Sequence, residues 1–374
     1  MALMKKSFVH HKEWISEKEF MNALSLAQVL PGATGVSLVG YIGFKHHKLW
    51  GGILAALLFI LPATTAMIVL GWAYFTFGSL SFVKALFAGL GAMVVALLVN
   101  ATFILGKSVF KKIDRRDIKG LLISLMSFVG IYFFKINVIW LILMSGFIGC
   151  IFYYFTNEFE DEKSKKGGSL LSEPDVIKRD PLSAKDFTPV ILVAALFLVG
   201  GLMPFTREIV TTFLKIGSFA FGGGFATIPL IQHQIVDMHQ WLTTKQFMDG
   251  IALGQITPGP VFITATFIGY QKAAIAGALF ATLAVFTPSL IAMIALADIH
   301  GRVQNLKIMK VIVKGFLSGF IGLLLAVTLQ FAFRSLVSWQ AWFIFASAIV
   351  WLMVLKRDSA WAILGTILVS LLIF

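Results

Sequence analysis

Stretches free of Asp, Glu, Lys and Arg alternate with short basic segments along this chain of 374 residues. The uncharged runs cover 20–44, 51–77, 85–106, 120–134, 136–157, 187–206, 216–236, 250–271, 273–297, 315–333, 335–355 and 359–374. A helix crosses a bilayer with about 20 apolar residues, and most of these runs reach that length. The pattern predicts an all-α, polytopic membrane protein. Pro and Gly interrupt several runs, so length alone does not separate full spans from hairpins. Composition agrees: 58% of residues are hydrophobic and 13% charged, where soluble domains run at roughly 45–50% and about 25%. This excludes a soluble enzyme, a disordered chain and a secreted disulfide scaffold. The single cysteine, Cys150, lies in an apolar run and reads as core filler. The formal net charge is +13, and the basic residues flank apolar runs, the positive-inside pattern of cytoplasmic loops. No zinc spacing or RNA-stacking motif is present, so no metal, cofactor or nucleic-acid partner is expected. The start, Met1-Ala2-Leu3-Met4-Lys5-Lys6, lacks the form of a cleavable signal peptide.

Segment 158–186 breaks the pattern. It holds eight acids and six bases with Gly167, Gly168, Pro174 and Pro181, the composition of an aqueous linker. It separates a first hydrophobic half, 1–157, from a second, 187–374. The halves repeat each other. Trp14, Lys18, Phe20 and Met21 match Trp241, Lys245, Phe247 and Met248, and Leu26, Gln28, Pro31 and Gly32 match Leu253, Gln255, Pro258 and Gly259. After one dropped residue the match continues through Ile42-Gly43 and Ile268-Gly269, Gly51 and Gly277, Pro62 and Pro288, Lys84 and Lys310, and Gly89 and Gly315. Chance does not readily keep Trp, Gln, Pro-Gly and a later Pro in register. Internal duplication is a common plan of secondary transporters.

Charge sets the expected topology. Lys107, Lys111, Lys112, Arg115, Arg116 and Lys119 place 107–119 in the cytoplasm. Counting spans puts the linker there too, and Lys45 and Lys48 mark the same side. In the second half, Arg302, Lys307, Lys310, Lys356 and Arg357 are read as cytoplasmic. Segments 78–83 and 304–309 then fall on opposite sides, which makes the repeats inverted in topology. Lys5, Lys6 and Lys12 share a side with Lys45, so run 20–44 is expected to turn back at Pro31-Gly32 as a re-entrant hairpin.

Three broken helices are the candidate chemistry: Gln28-Val-Leu-Pro31-Gly32, Gln255-Ile-Thr257-Pro258-Gly259-Pro260, and Phe219-Ala-Phe-Gly222-Gly223-Gly224. Proline ends a helix. A new helix start exposes unpaired N–H groups and the positive end of a dipole, which suits an anion. Glycine lets an ion approach the backbone. The plainer alternative is kinks and close helix packing, but two breaks fall at matching repeat positions. All 18 acids lie outside the uncharged runs, although Glu208, Asp237, Asp249 and Asp298 sit at run edges. A cation substrate is disfavoured, because its carriers keep a carboxylate within the membrane. An anion would be held by backbone N–H with Gln28, Gln255, Thr257, Thr264 and Ser37. His10, His11, His46 and His47 read as solvated flanking residues, and His233 and Gln234 as candidates beside the third break.

Phe219-Ala-Phe-Gly222-Gly223-Gly224 followed by Trp241, Gln255 and Pro258-Gly259-Pro260, together with Trp14 to Phe20 and Gln28 to Gly32, resembles the chromate ion transporter family over nearly the whole chain. The resemblance implies an inner-membrane, multi-pass carrier, not an enzyme, that expels chromate, and the mechanism expected is alternating access around a central site made from the broken-helix starts. Sulfate, of the same shape, is the second substrate, and a homodimer is a candidate assembly. Two departures stand out. Met1 aligns with Ile228, so the first half has no counterpart of the Phe-Gly-Gly helix, and Ala33 stands where the second half has Pro260. An intramembrane enzyme and a channel are the rival readings; the uncharged runs hold no acid and no Ser–His pair, which counts against the enzyme.

Overall fold

The computed structural model describes residues 2–110, 115–154, 184–296 and 307–374. Residues 158–183 of the expected linker, Lys111, Lys112, Asp298, Arg302 and 304–306 lie outside the described residues. Described secondary structure is helical throughout. The first half comprises α1 (Ala2–Lys5, continuing as a π turn Lys6–His11), α2 (Glu17–Val29), α3 (Thr34–Phe77), α4 (Ser81–Val109), α5 (Arg115–Tyr132) and α6 (Val138–Tyr154). The second comprises α7 (Thr188–Leu202), α8 (Pro204–Ser218), α9 (Ile228–Gln232, continuing as a π turn His233–Met238), α10 (Thr244–Ile256), α11 (Thr264–Ala295), α12 (Lys307–Ser335), α13 (Trp339–Ile349) and α14 (Ser359–Ile373). Four helices are long and apolar enough to cross a membrane, namely Thr34–Phe77, Ser81–Val109, Val261–Ala295 and Ile308–Ser335. The outer surface is apolar: Phe333 is 72% exposed and Leu372 84% exposed, as expected of a lipid-facing surface.

The duplication is visible in backbone detail. π Turns recur at Lys6–His11 and His233–Met238. Positive φ recurs at Glu13 and Gln240, and at Lys48 and Ala274. Ser16 caps α2, and Thr243 caps α10 with a reciprocal bond from Gln246. Run 20–44 turns back as expected. Tyr41 Oη donates to Glu19 Oε1 at 3.1 Å, Lys45 pairs with Glu19, and the Trp14 and His46 rings lie 5.6 Å apart at a tilt. α2 and the first arm of α3 are therefore antiparallel, with Pro31-Gly32 at the tip. At the base Lys5 pairs with Glu17 and its hydrogen bond holds that carboxyl below its usual range.

Neither α3 nor α11 is one straight helix. Their ladders break at His47/Lys48 and Ala273/Ala274, where φ and ψ leave the helical region. We call the arms α3a and α3b, and α11a and α11b. The chain reverses there, because Gly43 faces the backbone of Gly51, and Gly269 that of Gly277. Each repeat is thus a half-length hairpin (α2–α3a, α10–α11a) followed by long helices. Ala274 holds φ 45° and ψ −139°, a region disfavoured for any Cβ-bearing residue at about 1–3 kcal/mol. Glycine's greater unfolded-state entropy takes back about 0.4–1 kcal/mol. Ala274→Gly should therefore stabilise the protein by roughly 1 kcal/mol, read as a rise in thermal midpoint in detergent.

The hairpins enter from opposite faces. Lys48, at the base of the first, bonds Asp186 at 2.9 Å, just before α7. α7 then runs for about 22 Å. Past it, Glu208 on α8 pairs with Lys272 at 3.5 Å, Thr212 meets His239 at 3.3 Å, and Lys272 lies over Trp241. These groups form the base of the second hairpin. α3b packs on both arms of α11, with Gly52 beside Ile294 at the far end of α11b and Gly71 against Phe267 and Tyr270 of α11a.

Outer helices are exchanged between halves. α5 and α6 pack on α12, and α13 and α14 on α4. Small residues bring the backbones together: Gly315 sits against Gly149, Gly322 against Ser124, and Gly89 against Ser370. Ser124 Oγ donates to the Ser318 carbonyl at 2.6 Å, and Ser127 and Ser145 lie 3.0 Å apart. Without water as competitor, such close packing and interhelical hydrogen bonds hold membrane helices together.

Candidate functional site

The three breaks meet. The Gly32 N–H donates to the Ala220 carbonyl at 2.7 Å, joining the first hairpin tip to the Phe219–Gly224 break. A Cβ added to Gly224 would lie 2.6 Å from Val261, the first residue after Pro260. Each Pro-Gly tip also rests on the long helix of the other repeat. Gly32 faces Ser289 and Gly259 faces Ala63, at matching positions just after Pro288 and Pro62. The tips therefore sit over the kinked middles of α3b and α11b.

Capping shows what the tips are built to do. At the hairpin bases the helix starts are closed by Ser16 and Thr243. At the tips, the starts after Ala33, Gly224 and Pro260 have no side-chain cap. No backbone acceptor within hydrogen-bonding distance serves the N–H groups of Gly222, Gly223 and Gly224 among the described residues. Three uncapped helix N-termini thus lie close together, and the positive dipole end of each favours negative charge.

The predicted residues occupy different places around this point. Gly222, Gly223 and Gly224 are half-buried, and Gly222 and Gly223 take φ of 85° and 88°. Pro31 and Pro260 are half-buried and Gly32 is buried, while Pro258 and Gly259 are exposed. Gln28 is exposed near the end of α2, and Gln255 is half-buried near the end of α10. Thr257 is buried and its hydroxyl donates to Gly254 O at 2.9 Å; Thr264 likewise donates to Val261 O at 2.9 Å. Each hydroxyl gives its one proton to a carbonyl of its own turn and has none left to donate to an anion. Ser37 is 1% exposed.

Two expectations are corrected. His233 and Gln234 do not adjoin the third break; they begin the π turn at the far end of α9, about 13 Å along the helix from Gly224. His233 Nε2 is buried without a hydrogen-bond partner among the described residues, and its Nδ1 lies 3.6 Å from Asp237. The acids are not all aqueous either. Asp249 is 2% exposed and accepts a 2.7 Å hydrogen bond from Tyr74. Its place beside Lys245 and Gly250 gave no hint of this, since the partner lies far away in sequence. Ser289 and Ala63 were legible in principle, because each follows a proline at a matched repeat position. An apolar cavity of about 380 Å³ opens between α3, α7 and α11b, lined by Phe44, Leu57, Phe187, Val190, Phe286 and Leu290. Its hydroxyl, on Thr287, donates to Leu283 O, so the cavity does not offer an anion site.

The model of the family described as "Chromate transporter" matches residues 1–150 and 207–371. An uncharacterized transporter of Methanocaldococcus jannaschii is 34% identical over 91% of this chain and 81% of its own length. The chromate transport protein of Cupriavidus metallidurans is 30% identical over 89% of this chain and 78% of its own, and that of Pseudomonas aeruginosa 28% identical over 88% and 75%. No solved structure matches.

Proposed function

The chain belongs to the chromate transporter family, and from that premise we propose that it carries chromate out of the cell across the inner membrane by alternating access. The observation that carries the site is the meeting of three uncapped helix starts at the hairpin tips. A divalent tetrahedral oxyanion offers acceptor oxygens in several directions, and N–H groups from three segments answer them without a buried cation. Each helix start contributes about 0.3–1 kcal/mol when exposed and up to ~2 kcal/mol when shielded. Residues 1–157 and 187–374 act as the two inverted repeats, and the linker 158–186 lies in the cytoplasm with Lys45 and Lys48. Rocking of the hairpins about α3b and α11b opens the tips to one face and then the other. Sulfate competes because it matches chromate in shape and charge.

The test is flux in proteoliposomes. Chromate entry should saturate, show counterflow, and fall when sulfate is added; flux that rises linearly without counterflow overturns the carrier reading. Gly223→Ala separates site from fold. The added methyl meets nothing within 4 Å, so the main cost is the left-handed φ, about 1–2 kcal/mol. The variant should remain folded, and its chromate flux should fall about tenfold, one decade per 1.36 kcal/mol. Unchanged flux would remove the glycine loop from the site.

A further inference from the structure

We propose that Tyr74 and Asp249 form a latch that clamps the second hairpin to the first repeat, and that opening this latch is the step in which that hairpin moves. The inference rests on the carrier reading above for its role in transport, though not for the existence of the clamp. Tyr74 stands near the end of α3b. Its hydroxyl donates to Asp249 Oδ2 on α10 at 2.7 Å, and its ring packs edge-on against Phe267 on α11a, with centroids 5.3 Å apart. One side chain therefore holds both arms of the hairpin. The ring is further fixed by Phe75 and Phe87 at 5.0 and 4.9 Å, so the hydroxyl is pre-aimed.

The acceptor is chemically unusual for its place. Asp249 is 2% exposed, and a carboxylate buried in a membrane protein is costly and is kept where it acts. Lys245, one turn earlier on α10, is the cation nearest in sequence. The two hairpins differ accordingly. The second is part of the main core, with Phe247, Met248, Ile251 and Leu253 packed alongside α4 residues. The first forms a separate cluster, with Phe20, Leu26 and Ile42 meeting Met293. The repeat counterpart of Asp249 is Asn22, whose side chain makes no hydrogen bond among the described residues. Among the described residues the second hairpin is latched in this way and the first is not, His300, the counterpart of Tyr74, lying outside them.

Hydrogen–deuterium exchange of the full-length protein in nanodiscs tests this. Tyr74→Phe keeps the ring and deletes the donor. Exchange in 244–256 should rise about tenfold or more, the range expected when a buried acceptor is left unsatisfied, while 17–29 stays at its wild-type rate and serves as internal control. Asp249→Asn keeps an acceptor of the same shape and should give a smaller, severalfold rise. Wild-type exchange in 244–256 of Tyr74→Phe, or acceleration spread evenly over both hairpins, overturns the latch. Exchange needs no substrate, so failure of the chromate reading leaves this result standing. In proteoliposomes, a mobile hairpin should change maximal flux more than half-saturation; a change confined to half-saturation overturns the role in movement.

Discussion

Gly32→Ala should reduce chromate flux about a hundredfold, roughly 2.7 kcal/mol at 1.36 kcal/mol per decade, and no single second substitution should restore it. Two independent costs meet at this position. Gly32 has φ of 110°, where a residue with Cβ pays about 1–3 kcal/mol. The new methyl would also run into the Ser289 side chain, whose Oγ would be 2.7 Å away. Relief by tilting the tip breaks the Gly32–Ala220 hydrogen bond that joins two of the three helix starts. Ser289→Gly clears the collision and leaves the backbone cost. Gly259, its repeat counterpart, is different. Its φ is not positive, and its added methyl would lie 2.6 Å from Ala63 Cβ alone. Gly259→Ala should lower flux about tenfold by the same conversion, and Ala63→Gly should bring it back to near wild type. Initial rates normalised to folded protein decide the matter. Full recovery of Gly32→Ala by Ser289→Gly would show that crowding alone matters there.

That contrast also marks how far the sequence reaches. Pro31-Gly32 and Pro258-Gly259-Pro260 announce the tips, because proline and glycine act locally. The return of run 20–44 follows from charge, since Lys5 and Lys45 have to share a face. The repeat register follows from matched residues, and it carries over to matched π turns and caps. The reversals at His47-Lys48 and Ala273-Ala274 are harder to read. Lys45, Lys48 and Lys272 end the uncharged runs near both corners, but no proline or glycine occupies either one to show how tightly the chain turns. Their trace is indirect, in the pairs Gly43 with Gly51 and Gly269 with Gly277. The burial of Asp249 is not legible at a run edge, because it depends on what packs above it. Here that is Tyr74, brought by a different repeat. The exchange of α5 and α6 with α13 and α14 likewise leaves no local mark, since any small-residue face suits any other.

The reversals should carry the largest stability effect. Gly43→Leu or Gly269→Leu should leave little folded protein. A Cβ at Gly43 meets the carbonyl of Gly51 and lies 2.6 Å from Ala55 Cβ; one at Gly269 meets the carbonyl of Gly277 and lies 2.7 Å from Ala281 Cβ. Overpacking a core usually costs about 1–3 kcal/mol because side chains can yield. Here the obstacle is backbone, fixed by its own helix ladder, so the arms have to separate. Separation also loosens the hairpin base, where Lys45 pairs with Glu19 and Lys48 with Asp186. A loss above about 4 kcal/mol is expected, in the exceptional tail for single substitutions. Gly106→Ala on α4 is the control. It meets nothing within 4 Å, and exchanging glycine for alanine inside a helix should gain up to about 1 kcal/mol. Thermal stability followed by size-exclusion in detergent separates the two. A Gly43→Leu protein that melts with wild type would mean the α3 arms do not touch, and with them would go the re-entrant geometry that aims the tips at one another.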